Sequence, residues 1–158
     1  MQRRAFLTTL TLGTVGVAGC LGGNGQSSAG DASSSTGSGS DGGNDYGGWF
    51  ENVTNYDGTV DKTGQEQVTV KVGTQANGGG YGFGPAAVEV TAGTTIVWKW
   101  VGAGGTHNVV AESGAFQSEY ATKKGHTFEH TFEEAETYKY YCKPHLGMGM
   151  KGAVRVVE

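Results

Sequence analysis

An all-β sandwich is the fold this sequence predicts, and two of its features carry that expectation. Short segments alternate apolar and polar residues with the two-residue period of a half-buried strand, and glycine-rich turns separate them. No stretch repeats its apolar residues at the three-to-four spacing of a long amphipathic helix. The folding part runs from Tyr46 to Glu158, one domain of ordinary size able to hold a single core.

The chain ahead of that domain has a different character. It opens Met1-Gln2-Arg3-Arg4-Ala5-Phe6-Leu7 and then runs from Thr8 to Ala18 almost without charge. Paired arginines before a short apolar stretch predict a twin-arginine export signal over residues 1–19. The apolar run falls short of the roughly 20 residues that span a bilayer. Val17-Ala18-Gly19-Cys20 sets small residues before a cysteine, a pattern that resembles a lipoprotein cleavage site. Cys20 is therefore expected to be lipidated and to become the new amino terminus. From Leu21 to Asp45 the residues are mostly Gly, Ser, Asp and Asn. Such a stretch cannot bury enough apolar surface to offset its ordering entropy, so residues 20–45 read as a flexible linker with an r.m.s. reach of roughly 25–30 Å. The expected location is the outer face of the cytoplasmic membrane, lipid-anchored on its extracellular side.

Within the domain the strands are taken in order. Val68-Thr69-Val70-Lys71-Val72 and Val88-Glu89-Val90 alternate, and Ile96-Val97-Trp98-Lys99-Trp100-Val101 sets Ile96, Trp98 and Trp100 on one face. Phe128-Glu129-His130-Thr131-Phe132, Tyr138-Lys139-Tyr140-Tyr141-Cys142 and Ala153-Val154-Arg155-Val156-Val157 follow. A short helix is weakly marked around Ala115–Ala121. Side chains alternate along a strand, so Tyr138, Tyr140 and Cys142 point inward together while Lys139 and Tyr141 point out.

Charge and cysteine content exclude several functions. The chain carries a net charge of −4, and removing Arg3 and Arg4 with the signal leaves nine basic residues against 15 acidic ones, close to −6. The basic residues form no stripe, which argues against a nucleic-acid partner. Cys20 and Cys142 are the two cysteines, and each has a better use than pairing with the other. No base–nucleophile pair or phosphate-binding loop is present, so an enzyme is not expected.

The most informative segment is Tyr141-Cys142-Lys143-Pro144-His145-Leu146-Gly147-Met148-Gly149-Met150. A thiolate, an imidazole and thioethers on one tight loop are soft donors, and His107 in Gly105-Thr106-His107-Asn108 supplies a second imidazole. Two His and one Cys in a trigonal set, with a long, weak bond to Met, form the electron-transfer copper geometry. Burying a thiolate without a metal is costly. His126, expected at the surface, and His130, expected half-buried between Phe128 and Phe132, do not join the set. At four residues apart on one strand they lie about 13 Å from each other.

Cys142-Lys143-Pro144-His145 and Gly149-Met150-Lys151-Gly152, with His107-Asn108 upstream, resemble the plastocyanin and pseudoazurin group of cupredoxins. Among them the segments are most similar to the halocyanins, membrane-attached archaeal relatives. Asn55-Tyr56-Asp57-Gly58-Thr59-Val60 and Gly93-Thr94-Thr95-Ile96-Val97-Trp98 extend the resemblance over residues 46–158, with its weakest part between Thr74 and Pro85. The resemblance implies a cupredoxin-like Greek-key sandwich and one copper ion held by His107, Cys142, His145 and Met150. It also implies that Met148 is the exposed methionine of the pair, and that Asn108 hydrogen-bonds to the ligand loop.

The function expected from this set is one-electron transfer, with copper cycling between Cu(II) and Cu(I). The partners would be redox proteins of a membrane-bound respiratory chain, and the protein is expected to be monomeric. Electrons would pass through the edge of His145, ringed by Leu146 and Met148, with Tyr141 as a second route. A copper chaperone or storage protein outside the cytoplasm is the alternative, although such sites favour exchangeable Met-rich or paired-Cys ligands. A copper oxidase would need further His clusters, and structural zinc disfavours Met.

Overall fold

The computed structural model describes residues 46–158. The expected export signal, the lipidation site at Cys20 and the linker lie outside the described residues. Two facing sheets form, as the alternating segments predict. The first contains β1 (Val60–Asp61), β4 (Ala87–Thr91), β9 (Lys151–Val157), β8 (Thr137–Tyr141) and β6 (Val110–Ala111), in that spatial order. The second contains β3 (Gly79–Gly84), β2 (Gln67–Ala76), β5 (Thr94–Trp100) and β7 (Thr127–Phe132). Connections from β3 through to β8 cross from sheet to sheet each time. β2 joins β3 and β8 joins β9 within one sheet.

Inward residues are those that strand parity selects. Val68, Val70 and Val72 of β2, Val88 and Val90 of β4, and Ile96, Trp98 and Trp100 of β5 are all buried in one cluster. Trp98 lies edge-on to Tyr140, with centroids 5.3 Å apart, and 5.2 Å from Phe116. Such pairs add roughly 0.5–1.5 kcal/mol each beyond the area they bury. Gly152 in β9 makes room for Tyr140, since a Cβ there would lie within its phenol ring. His130 is half-buried beside Phe116 and Phe132 at 4.9 and 4.8 Å.

Three expectations need correction. No helix forms at Ala115–Ala121. The chain there is extended, with bridges from Gln117 to Val110 and from Ala121 to His107. Phe116 is drawn into the core, and Ser118 Oγ accepts the Val109 N–H at 2.8 Å, so local hydrogen bonds are spent on the neighbouring strand. His126 is not a bare surface residue. It is half-buried edge-on to Trp100 at 4.7 Å. The glycine-rich stretch after Thr74, read without a strand, holds β3. Its Phe83 is fully buried although glycines surround it.

Residues 46–56 add a second, smaller cluster on the first sheet. Tyr46, Phe50 and Val53 pack with Ala86, Ala87 and Ala153, and the Phe50 and Tyr56 rings stack at 4.0 Å. Trp49 donates its Nε1–H to Gly152 O at 3.0 Å, with Lys139 and Lys151 over its ring. The aromatic density at Tyr46, Trp49, Phe50 and Tyr56 was the sequence signal for this packing.

Candidate metal centre

The site lies where the β8–β9 connection meets the chain entering β6. Cys142 leaves β8 and opens a 3-10 helix, Lys143–Met148, with Pro144 in its first turn. Pro tolerates that place because its missing N–H would have no partner there. Gly149 ends the helix at φ 92°, a left-handed conformation that glycine adopts without penalty. Gly147 has no such role, since its φ is not positive. The turn closes when Cys142 N–H donates to Met150 O at 3.0 Å and Met150 N–H to His145 O at 3.2 Å.

Three donor atoms converge. His107 Nδ1 lies 3.7 Å from Cys142 Sγ, His145 Nδ1 lies 3.5 Å from it, and the two ring nitrogens are 3.1 Å apart. Three ligands in a trigonal plane, bonded at about 2.0–2.3 Å to one first-row ion, would stand at about these separations. Met150 is fully buried in the cluster that contains Cys142, whereas Met148 is 49% exposed. Leu146 is 38% exposed and His145 half-buried, so the imidazole edge and two apolar side chains share this end of the domain.

The protonation pattern suits a metal. His107 Nε2 lies 2.7 Å from Ala103 O. A carbonyl can only accept, so the hydrogen sits on Nε2 and the Nδ1 lone pair faces the cysteine and the second histidine. Burial lowers the pKa of His107 and of His145, which favours the neutral rings that ligation requires. Burial pushes the Cys142 thiol up, while the backbone N–H groups of Asn108 and His145 oppose it. A cation at the centre would restore the thiolate.

Neighbouring groups hold these donors. Asn108 Oδ1 accepts the Lys143 N–H at 2.9 Å, tying the strand beyond His107 to the ligand loop. Gly73 at φ 92° lets β2 press on Ala103, since a Cβ there would stand 2.7 Å from Ala103 O. Tyr81 lies against His145, its ring tilted 40° to the imidazole with centroids 4.7 Å apart. The tyrosine in Gly79-Gly80-Tyr81-Gly82-Phe83 stands two residues before buried Phe83 and packs against the same cluster, a shared face hidden by the glycines. Tyr141 is half-buried and pairs with Val110 and Lys151 through its backbone.

Residues 68–157 match the model of the copper-binding proteins of the plastocyanin/azurin family. The chain belongs to that family. It is 46% identical to halocyanin from Natronomonas pharaonis over 105 residues, a match spanning 64% of this chain and 63% of that one. It is 40% identical to plastocyanin A/B from Petroselinum crispum over 97 residues, 55% of this chain and 97% of the relative. A purple cupredoxin from Nitrosopumilus maritimus is 31% identical at a TM-score of 0.46, covering 59% of this chain and all of that one. The His-Cys-His group and the family together give one copper ion as the cofactor.

Proposed function

We infer that this protein is a blue copper electron carrier, in which His107, Cys142 and His145 would hold the copper strongly and Met150 would hold it weakly. The observation that carries the reading is the convergence of two imidazole nitrogens and a buried sulfur within 4.8 Å, with one tautomer fixed by Ala103. Bound copper supplies a one-electron couple between Cu(II) and Cu(I). The chain's part is to keep the donors in one arrangement for both states, so that little reorganises as the electron passes. Cys142, sealed beneath the loop, is kept from water and oxidants. His145 offers the way out through its exposed edge. The protein is read as a carrier and not an enzyme.

The decisive test is colour. Wild-type protein loaded with Cu(II) is expected to show an intense visible thiolate-to-copper band, and Cys142→Ser to lose it entirely. A colourless wild-type complex would sink the reading. Beyond the copper site, residues 1–19 are proposed as a twin-arginine signal, Cys20 as a lipid anchor and residues 20–45 as the tether of the domain starting at Tyr46. The partners are proposed to be redox proteins of a membrane electron-transport chain, met outside the cytoplasm by a monomeric carrier.

A further inference from the structure

Asn77-Gly78 turns β2 into β3, with φ of 56° at Asn77 and 87° at Gly78. Positive φ at both central residues gives the hairpin turn whose twist matches its strands, and Asn-Gly is its favoured pair. Turn chemistry accounts for the backbone there. It leaves the side chain unexplained, and that side chain joins three separate pieces of chain. Asn77 Oδ1 accepts from the Thr54 N–H at 2.9 Å and from its hydroxyl at 3.2 Å, while the Asn77 N–H donates to Thr54 Oγ1 at 2.7 Å. Nδ2 donates to Tyr81 O at 2.7 Å and to Gly149 O at 3.0 Å. An amide side chain has two donor hydrogens and two acceptor lone pairs, so every position is used. Reversing the amide would set its oxygen against two carbonyls, so the partners fix its orientation.

Gly149 immediately precedes Met150. On its other side a Cβ would collide with Asn52 O, so the chain is closed there by backbone contact. Lys151, just beyond Met150, donates to Asn52 Oδ1 at 3.0 Å and to Trp49 O at 3.3 Å. The N–H and C=O of Met150 itself are spent inside the ligand loop. The residues flanking Met150 are thus what tie it to the rest of the domain, and Asn77 is the anchor from the β2–β3 hairpin. That hairpin also touches the loop ahead of His107, where Gly80 lies against Ala103 and Gly104.

We propose that Asn77 is a positioning residue for the axial thioether, its amide clamping the Gly149 carbonyl and thereby setting where the Met150 sulfur stands. A long, weak metal–thioether bond does little to choose its own length, so the protein frame chooses it. The proposal rests on the copper reading for its redox readout, and on the metal-free protein for a second one.

A double-mutant cycle tests it. Asn77→Gly keeps the positive φ at no steric cost and removes the side chain alone. In the wild-type background it is expected to change the ratio of Cu(II) to Cu(I) affinity about tenfold, equal to about 59 mV in the reduction potential. In the Met150→Leu background, with no thioether left to position, the same change should leave the potential where it was. In metal-free protein, Asn77→Gly should speed hydrogen exchange at the Gly149 and Met150 amides about tenfold while leaving β5 unchanged. Equal shifts of potential in both backgrounds, or no shift in the first, would overturn the proposal. So would unaltered amide exchange, whether or not copper binds. Should Asn77→Gly fail to fold, Asn77→Asp runs the same cycle, its added charge acting in both backgrounds and so cancelling. A wild-type protein that bound no copper would overturn the copper reading and leave the exchange comparison to decide Asn77.

Discussion

Because Ala103 can only accept, the hydrogen on His107 Nε2 leaves Nδ1 free to donate electrons toward Cys142 and His145. At the scale of single residues the remaining question is which methionine joins them. Met148 and Met150 differ by two positions, but Met150 is fully buried beneath the loop and Met148 is 49% exposed at its tip. Cu(II) depends on a further donor beyond a three-ligand set more than Cu(I) does, so losing even a weak one should raise the potential. Met150→Leu is therefore expected to keep the colour and raise the potential by something near a tenfold change in the affinity ratio, about 59 mV. Met148→Leu should leave the potential within error of the wild type. Electrochemical titration of both variants decides the assignment, and the reverse pattern would exchange the two methionines.

At the scale of elements, strands with strict alternation were legible and segments held by glycine or by aromatic packing were not. β2, β4 and β5 announce their inner faces because valine and tryptophan recur every second residue. The three donors that the fold gathers, His107, Cys142 and His145, were likewise legible from residue type, since few residues donate softly to a metal. β3 escaped because four of its six residues are glycine, and with it went Tyr81 and the reach of Asn77. The residues weakly marked as helix at Ala115–Ala121 form bridges instead, a tertiary demand of Phe116 and Ser118 overriding a faint local preference. The amino-terminal segment, Tyr46–Tyr56, is the other case, since no periodic pattern shows that it packs on β4 and β9. Phe50 stacks on Tyr56 at 4.0 Å and lies edge-on to Tyr46 at 5.0 Å. Phe50→Ala is expected to cost about 3 kcal/mol, near the lower end for a buried aromatic. Urea unfolding of the metal-free protein measures it, and a midpoint equal to the wild type would mean that this segment is not part of the cooperative unit.

At the scale of the whole molecule, attachment and exchange make opposite demands. A lipid at Cys20 would keep the carrier at the membrane, while a tether of roughly 25–30 Å r.m.s. reach would let the domain turn toward its partners. Cys20→Ala is expected to release the domain into the medium or leave the precursor uncleaved, read by fractionating cells into membrane and soluble protein. Membrane attachment undiminished by that change would require a different anchor.

Exchange also needs a surface that holds a partner briefly. Weak redox encounters use small interfaces, under about 1,200 Å² in total, where a few apolar groups suffice to expel water. Leu146, 38% exposed, and Met148, 49% exposed, stand on the helix that carries His145, and Tyr81 covers the ring from the β2–β3 side. An aspartate at position 146 would put a charge that resists desolvation at the centre of that contact. It would leave the donor atoms in place, because Leu146 contributes no ligand and its side chain already meets solvent. Leu146→Asp is therefore expected to slow electron exchange with the natural partner several-fold while leaving colour unchanged and potential nearly so. Stopped-flow rates at matched driving force separate docking from thermodynamics. A mutant as fast as the wild type would move the contact away from His145, with the half-buried Tyr141 on β8 the next surface to vary.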